Sequence, residues 1–153
     1  MTADSRSPLD GGPTRTEGAY LLDEQVGFLM RVASQRHTAL FASRMIEGLT
    51  APQFATLAKL REVGPCSQNR LGRLVFLDAA TIKGVVDRLT GRGFVMIADD
   101  PLDKRRRAVA LSERGHALAD AAVLVARDIS AATLEPLTPD ERRQAVMLLK
   151  KLG

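Results

Sequence analysis

Closely spaced helix start and stop signals between residues 48 and 93 constrain this fold more than any other feature of the sequence. Three segments each begin after a residue that favours the N-cap, and each stops at glycine, proline or a turn. The first also has a capping box and a proline in its first turn. The predicted helices span about 51–62, 68–75 and 79–90, and their predicted caps are Thr50, Ser67 and Asp78.

Longer helices are predicted on either side of this centre. Apolar residues recur at helical spacing from Tyr20 to about Glu47, where we expect Gly48 to end the helix. Ser112 can cap a second long helix to about residue 133, and the capping box at residues 138–141 opens a final helix. Residues 1–19 are polar and are expected to form a disordered tail.

A short β-hairpin is predicted after the third short helix. Two apolar runs, residues 94–97 and 108–111, flank a turn-forming and basic segment. A hairpin this small must pack against the helices before it. The expected fold is therefore mainly α: a winged helix-turn-helix with a small β-hairpin wing and long N- and C-terminal dimerisation helices. We expect one domain over 20–153, with the winged lobe at 48–111 and the dimerisation helices at 20–47 and 112–153.

The excess positive charge is confined to the centre of the chain. Residues 68–107 contain nine lysines and arginines against five aspartates, a surplus of four that equals the net charge of +4 for the whole protein. The rest of the chain is neutral. This distribution is typical of a phosphate-binding module within a neutral scaffold, although a solvated basic face without a partner would have the same composition.

Several other classes of protein are disfavoured. One cysteine cannot form an internal disulfide, and no apolar segment is long enough to cross a membrane, so we expect a cytoplasmic protein. The chain has two histidines without metal-ligand spacing, and it lacks the phosphate-binding GxxxxGK[ST] loop and the GxSxG nucleophile motif. We therefore expect neither an enzyme nor a bound metal or cofactor.

The helix-turn-helix and the wing predict an interface with double-stranded DNA. The second helix of such a unit enters the major groove, and its N-terminal half faces the base edges. Small residues there allow close approach, while Thr81 and Lys83 can donate hydrogen bonds. Asp103 is placed to hold an arginine of the wing, which can reach the minor groove. The candidate DNA-binding residues are Ser67, Gln68, Asn69, Arg70, Ala80, Thr81, Lys83, Gly84, Arg88, Asp103, Lys104, Arg105 and Arg106.

Residues 49–115 resemble the central part of the MarR family, the multiple antibiotic resistance regulators. The matching motifs are LTxxQFxxL, xxNxLGxxxxxDxATxxxxxDRLxxRG and DPxDxRxxxxxLxxxG, and the resemblance extends over roughly residues 20–151. It implies a homodimer with intertwined terminal helices that binds a pseudo-palindromic operator, usually as a repressor. It also implies release by a small, often aromatic ligand or by an oxidant.

The effector is suggested by the first helix and by one branch of the family. Arg36 and His37 border an apolar stripe, and together they can receive the carboxylate or phosphate of an aromatic ligand. Alternatively, Arg36 extends to solvent and His37 makes a local hydrogen bond. The candidate ligand-binding residues are Arg36, His37, Leu40, Phe41, Phe54 and Leu57. Residues 67–89 are similar to members that control aromatic-acid catabolism, which suggests an aromatic acid or its coenzyme A thioester.

Two alternatives stay open. Cys66 precedes a predicted helix, whose dipole would favour the thiolate and permit an oxidation switch, although the redox-sensing branch typically has its cysteine in the first helix. The winged helix could instead mediate protein contacts or package DNA without sequence preference.

Overall fold

The computed structural model describes residues 18–153, so the predicted disorder of residues 1–17 lies outside the described part. The chain divides after Ser34 into two units. The first contains a 3-10 turn, Leu22–Glu24, and the start of helix α1, Val26–Arg44. Helix α1 continues into the second unit, which contains the remaining elements.

The predicted boundaries of the first helix are wrong at both ends. Gln25 has an extended backbone with φ −87° and ψ 131°, so α1 begins at Val26 instead of Tyr20. At the other end α1 stops at Arg44, and both Glu47 and Gly48 have positive φ, 56° and 59°. Gly48 is therefore part of a separate turn. That turn immediately precedes Leu49, which is 4% exposed and belongs to the core.

The three central helices are confirmed, with boundaries within one residue of those predicted. Helix α2 spans Ala51–Val63, α3 spans Gln68–Leu74 and α4 spans Ala79–Gly91. Each N-cap side chain accepts a hydrogen bond from the backbone N–H three residues later. The donor–acceptor distances are 3.3 Å for Thr50, 3.2 Å for Ser67 and 2.7 Å for Asp78. These bonds satisfy N–H groups that the first turn of a helix leaves free.

The wing is an antiparallel hairpin of β1, Val95–Asp99, and β2, Arg107–Leu111. Its register pairs Val95 with Leu111 and Asp99 with Arg107, so the strands extend further toward the basic tip than expected. Cys66, between α2 and α3, exchanges two backbone hydrogen bonds with Val109 at 3.2 and 2.8 Å. This bridge fixes the wing to the helix-turn-helix.

One core joins the lobe to the following helix, α5, which spans Glu113–Thr133 and has Ser112 as its confirmed cap. The largest fully buried side chains of the lobe come from α2, α3 and α4: Leu57, Leu60, Leu71, Ile82, Val86 and Leu89. Helix α5 adds Leu118, Ala119 and Ala122 to the same cluster.

The last helix, α6, spans Pro139–Leu152 behind the confirmed capping box of Thr138 and Glu141, and it has no buried residue. Within residues 18–153, no helix combines the length and apolarity needed to cross a membrane.

Candidate nucleic-acid interface

Helix α4 has one buried face and one exposed face. Ile82, Val85, Val86 and Leu89 are 4% exposed or less and attach the helix to the core. The opposite face presents Ala80, Thr81, Lys83 and Arg88 to solvent, and Gly84 is half-buried. The predicted recognition residues therefore share one surface, with small side chains at 80 and 84 beside hydrogen-bond donors at 81 and 83. Such a surface can approach base edges closely and donate to them.

Gly72 sets the distance between α3 and α4. A Cβ atom at this position would lie 3.1 Å from Ile82 Cγ2 and 3.1 Å from the carbonyl oxygen of Leu77. The two helices of the helix-turn-helix therefore approach more closely here than a larger residue would allow. Sequence reasoning missed this residue, since the only available signal was a glycine inside a short helical segment.

The predicted phosphate contacts of α3 lie near its first turn. Asn69 and Arg70 are exposed, whereas Ser67 and Gln68 are half-buried. The Ser67 hydroxyl accepts from Arg70 N–H as the N-cap, so its main role in this structure is to begin the helix. Arg70 is the residue of this group whose charge faces solvent.

Asp103 organises the arginines of the wing, as the sequence predicted. Its carboxylate oxygens lie 3.2 Å from Arg105 Nε and 3.7 Å from Arg106 Nε, and Oδ1 also accepts from the Arg105 backbone N–H at 3.0 Å. The two arginine side chains are 91% and 77% exposed. Arg107 is instead paired with Asp99 across the hairpin, at 3.1 Å. Two guanidinium groups are therefore restrained at the wing tip and directed to solvent, together with the exposed Lys104.

Acidic neighbours do not neutralise α4. Lys83 Nζ lies 2.6 Å from Asp87 Oδ2 one turn later, but both side chains are at least 60% exposed. A solvated pair of this kind contributes little free energy, so Lys83 can exchange Asp87 for another anion. Asp78 is held ionised, because hydrogen bonds to its carboxylate, first from the backbone N–H of Thr81, lower its pKa.

Two of the candidate ligand residues, Arg36 and His37, contact the end of α5. Arg36 donates from Nη1 to the Thr133 carbonyl at 2.6 Å and from Nη2 to the Ala132 carbonyl at 2.9 Å, which places its charge at the C-terminal end of α5. His37 Nδ1 lies 2.8 Å from Thr133 Oγ1. The Thr133 hydroxyl already donates to the Ile129 carbonyl, so Nδ1 is the donor of this bond. The contact joins elements far apart in the sequence and is not the local bond considered above.

Of the apolar members of that set, Leu40 and Phe41 lie one turn further along α1, and Phe54 and Leu57 lie on α2. The rings of Phe41 and Phe54 meet edge to face with centroids 6.1 Å apart, and Leu40 is half-buried. Leu57 is 0% exposed and belongs to the core of the lobe. No group of three or more potential metal-ligating side chains occurs within residues 18–153.

The surroundings of Cys66 disfavour the thiolate that the oxidation-switch alternative needs. The side chain is 2% exposed, and burial raises the pKa of the thiol, with the nearby Arg70 only partly opposing this effect. The backbone bridge to Val109 draws Cys66 into the core, where the charged form is unfavourable.

Comparison with known proteins agrees with this geometry. Residues 49–106 match the model of the MarR family. The chain is 43% identical over 152 residues to the HTH-type transcriptional repressor NicR of Pseudomonas putida, a match that covers 99% of this chain and 92% of NicR.

Two solved structures extend the likeness to the fold. BpsR of Bordetella bronchiseptica, whose DNA binding is regulated by 6-hydroxynicotinic acid, superposes with a TM-score of 0.81 at 40% identity, over 88% of this chain and 97% of BpsR. A mutant of Escherichia coli MarR in complex with operator DNA gives a TM-score of 0.75 at 28% identity, over 88% of this chain and 99% of that protein. With its capped helix-turn-helix and arginine-bearing wing, this chain belongs to the MarR family and is a DNA-binding transcriptional regulator.

Proposed function

We propose that this protein is a repressor that binds a pseudo-palindromic operator as a homodimer and is released by a small aromatic carboxylic acid. The observation that carries the proposal is the pairing of the exposed face of α4 with two restrained, solvent-directed arginines on the wing. In this proposal α4 contacts the major groove through residues 80, 81, 83, 84 and 88. Arg105 and Arg106, held by Asp103, enter the adjacent minor groove. Residues 67–70 and Lys104 contact phosphates.

Exposed apolar helix surface supports the homodimer. On α6, Val146, Met147, Leu148 and Leu149 are each at least 45% exposed. In the first unit, Val26, Leu29 and Met30 are each at least 48% exposed. A cluster of exposed apolar side chains such as that on α6 is characteristic of an interface. A two-fold dimer would bury it and would place two reading helices about 34 Å apart, one turn of DNA.

The guanidinium group of Arg36, at the C-terminal end of α5, supports an effector that carries a carboxylate. Both Nη atoms of Arg36 bond neutral carbonyl oxygens, and a carboxylate is a stronger, bidentate partner for a guanidinium. The neighbouring His37 can donate to the same ligand. The likeness to BpsR makes a hydroxylated pyridine carboxylate such as 6-hydroxynicotinic acid the first compound to test. Coenzyme A thioesters of aromatic acids are the larger alternative.

A mobility-shift titration tests the proposal. The dimer is titrated against DNA flanking its own gene, with non-specific competitor, and then against aromatic acids and their coenzyme A thioesters. We expect a specific complex that one of these acids dissociates. Binding with steep salt dependence but no sequence preference would indicate packaging, and an absence of DNA affinity would indicate protein contact. Release by peroxide alone would support the oxidation switch.

The Arg36→Ala variant tests the effector site, and Arg31→Ala on the same helix is the matched control. The Arg31 guanidinium lies over the Phe28 ring, 5.2 Å from its centroid. We expect Arg36→Ala to bind the operator but to require about tenfold more acid for release, while Arg31→Ala behaves as the wild type. Equal release from both variants would remove Arg36 from the effector site.

A further inference from the structure

The turn between α3 and α4 exposes a phenylalanine. Phe76 is 89% exposed, whereas the other four phenylalanines of the chain are buried or half-buried. A single exposed apolar residue is ordinary on a protein surface. Phe76 differs because its backbone is also unusual.

Phe76 has a φ of +56°, in the left-handed region that glycine adopts without penalty. For a bulky residue this conformation costs about 1 kcal/mol or more. The ring recovers none of this cost through packing, because it is almost fully exposed. A strained residue whose ring is almost fully exposed within its own chain suggests a contact outside it.

The turn holds the ring outward. Phe76 N–H donates to the Arg73 carbonyl at 3.3 Å, and Leu77 N–H donates to the Gly72 carbonyl at 2.9 Å. The side chains on either side of Phe76, Val75 and Leu77, pack against the core. Phe76 therefore cannot turn inward without displacing one of its neighbours.

The position of the ring indicates its partner. Phe76 precedes the N-cap of α4, Asp78, by two residues and follows α3, where Arg70 and Arg73 are exposed. An exposed aromatic ring just before the N-terminus of a helix that enters the major groove lies beside the wall of that groove once the helix is bound. The apolar groups available there are deoxyribose C–H groups and thymine methyls.

We propose that the Phe76 ring packs against the apolar surface of the operator, on a sugar or a thymine methyl at the edge of the major groove. The free energy of this contact offsets the cost of the strained backbone only when DNA is bound. It adds to the affinity without neutralising a phosphate. The inference rests on the proposed operator binding.

Two substitutions at residue 76 test the contact. Phe76→Gly removes the ring and adopts φ +56° freely, so its thermal midpoint and oligomeric state should stay close to those of the wild type. We expect its operator Kd to rise about five- to tenfold, with an unchanged salt slope because no cation is lost. Phe76→Tyr retains the ring and should stay within about twofold of the wild type.

An operator in which deoxyuridine replaces thymine distinguishes the two apolar groups. If a methyl is the partner, the wild type loses the same affinity on this operator and Phe76→Gly loses nothing further. If a sugar is the partner, the wild type is unaffected and Phe76→Gly stays weak.

Folded Phe76→Gly that binds every operator within about twofold of the wild type would overturn the proposal. Such a result would leave operator binding itself intact. Failure of the proposed function would show instead as absence of specific binding by the wild type.

Discussion

At Gly115 the backbone of α5 passes against the chain at the start of the wing. A Cβ atom there would lie 1.8 Å from the Phe94 carbonyl oxygen, which also accepts the Ser112 N–H at 3.1 Å. The clash is with backbone and not with a flexible side chain, so neither partner can move without breaking the cap of α5. Hydrogen is the only side chain that fits.

Gly115→Ala should therefore lower the free energy of unfolding by about 3 kcal/mol, at the upper end of the usual cost of overpacking. Gly91→Ala is the matched control, since its Cβ would meet nothing within 4 Å at the end of α4. Urea denaturation at equal protein concentration measures both. Similar midpoints for the two variants would show that the contact at Phe94 can relax.

The reactivity of the Cys66 thiol is determined by its burial. Since burial raises the pKa of its thiol, the reactive thiolate is scarce at neutral pH. We expect a disulfide reagent to label native Cys66 far more slowly than the urea-unfolded chain, and peroxide to leave operator binding unchanged. A Cys66→Ala variant carrying Ser43→Cys, at an exposed position of α1, is the reactive control. Rapid native labelling would restore the oxidation switch.

Among the elements, the wing combines rigidity at its base with exposed charge at its tip. The pairing of β1 with β2 and the Cys66–Val109 bridge fix the base. At the tip, Asp103 restrains Arg105 and Arg106 without burying them. An arginine held in this way loses less side-chain entropy on entering a minor groove than a free one would.

Replacing both Arg105 and Arg106 with alanine should weaken operator binding by about tenfold or more and reduce the salt slope, with the oligomeric state unchanged. Replacing Lys150 and Lys151 of α6 removes the same charge from another element and should have a smaller effect. Fluorescence anisotropy at several salt concentrations measures both. If the two double variants lose affinity equally, net charge and not the wing would account for the effect.

At the scale of the whole molecule, α6 presents an exposed apolar surface, since Val146, Met147, Leu148 and Leu149 are each at least 45% exposed. A cavity of about 480 Å³ is lined there by Leu134, Val146 and Met147 together with Arg142, Arg143 and Lys150. Six of the last eight residues of the helix, 145–152, are apolar and none of them is buried, a pattern typical of a helix that packs against a partner.

Val146→Glu combined with Leu149→Glu places two charges on one face of α6, and it should yield a 16.6 kDa monomer or an aggregating chain. Gln144→Glu, an exposed substitution on the same helix, should leave the dimer intact. Sedimentation velocity distinguishes the two masses. A dimer that tolerates both glutamates would place the interface elsewhere.

The helix starts depend on interactions between residues close in the chain, so they can be predicted from the sequence alone. The caps at Thr50, Ser67, Asp78, Ser112 and Thr138 were all predicted, because each depends on a hydrogen bond between residues three apart. The same holds for Asp103, which was predicted to hold one arginine of the wing and which pairs with Arg105 two residues later. The family followed from motifs within this capped segment.

Other features depend on contacts between distant parts of the chain, and only the tertiary structure reveals them. Leu49, just after the end of α1, is buried in the core, and burial at the bridge to Val109 raises the pKa of the Cys66 thiol. Gly72 and Gly115 matter because another segment of backbone or side chain approaches them. Arg36 bonds carbonyls that lie 97 and 96 residues away. Local hydrogen bonding cannot encode such contacts, since they exist only once the packed core has brought the segments together.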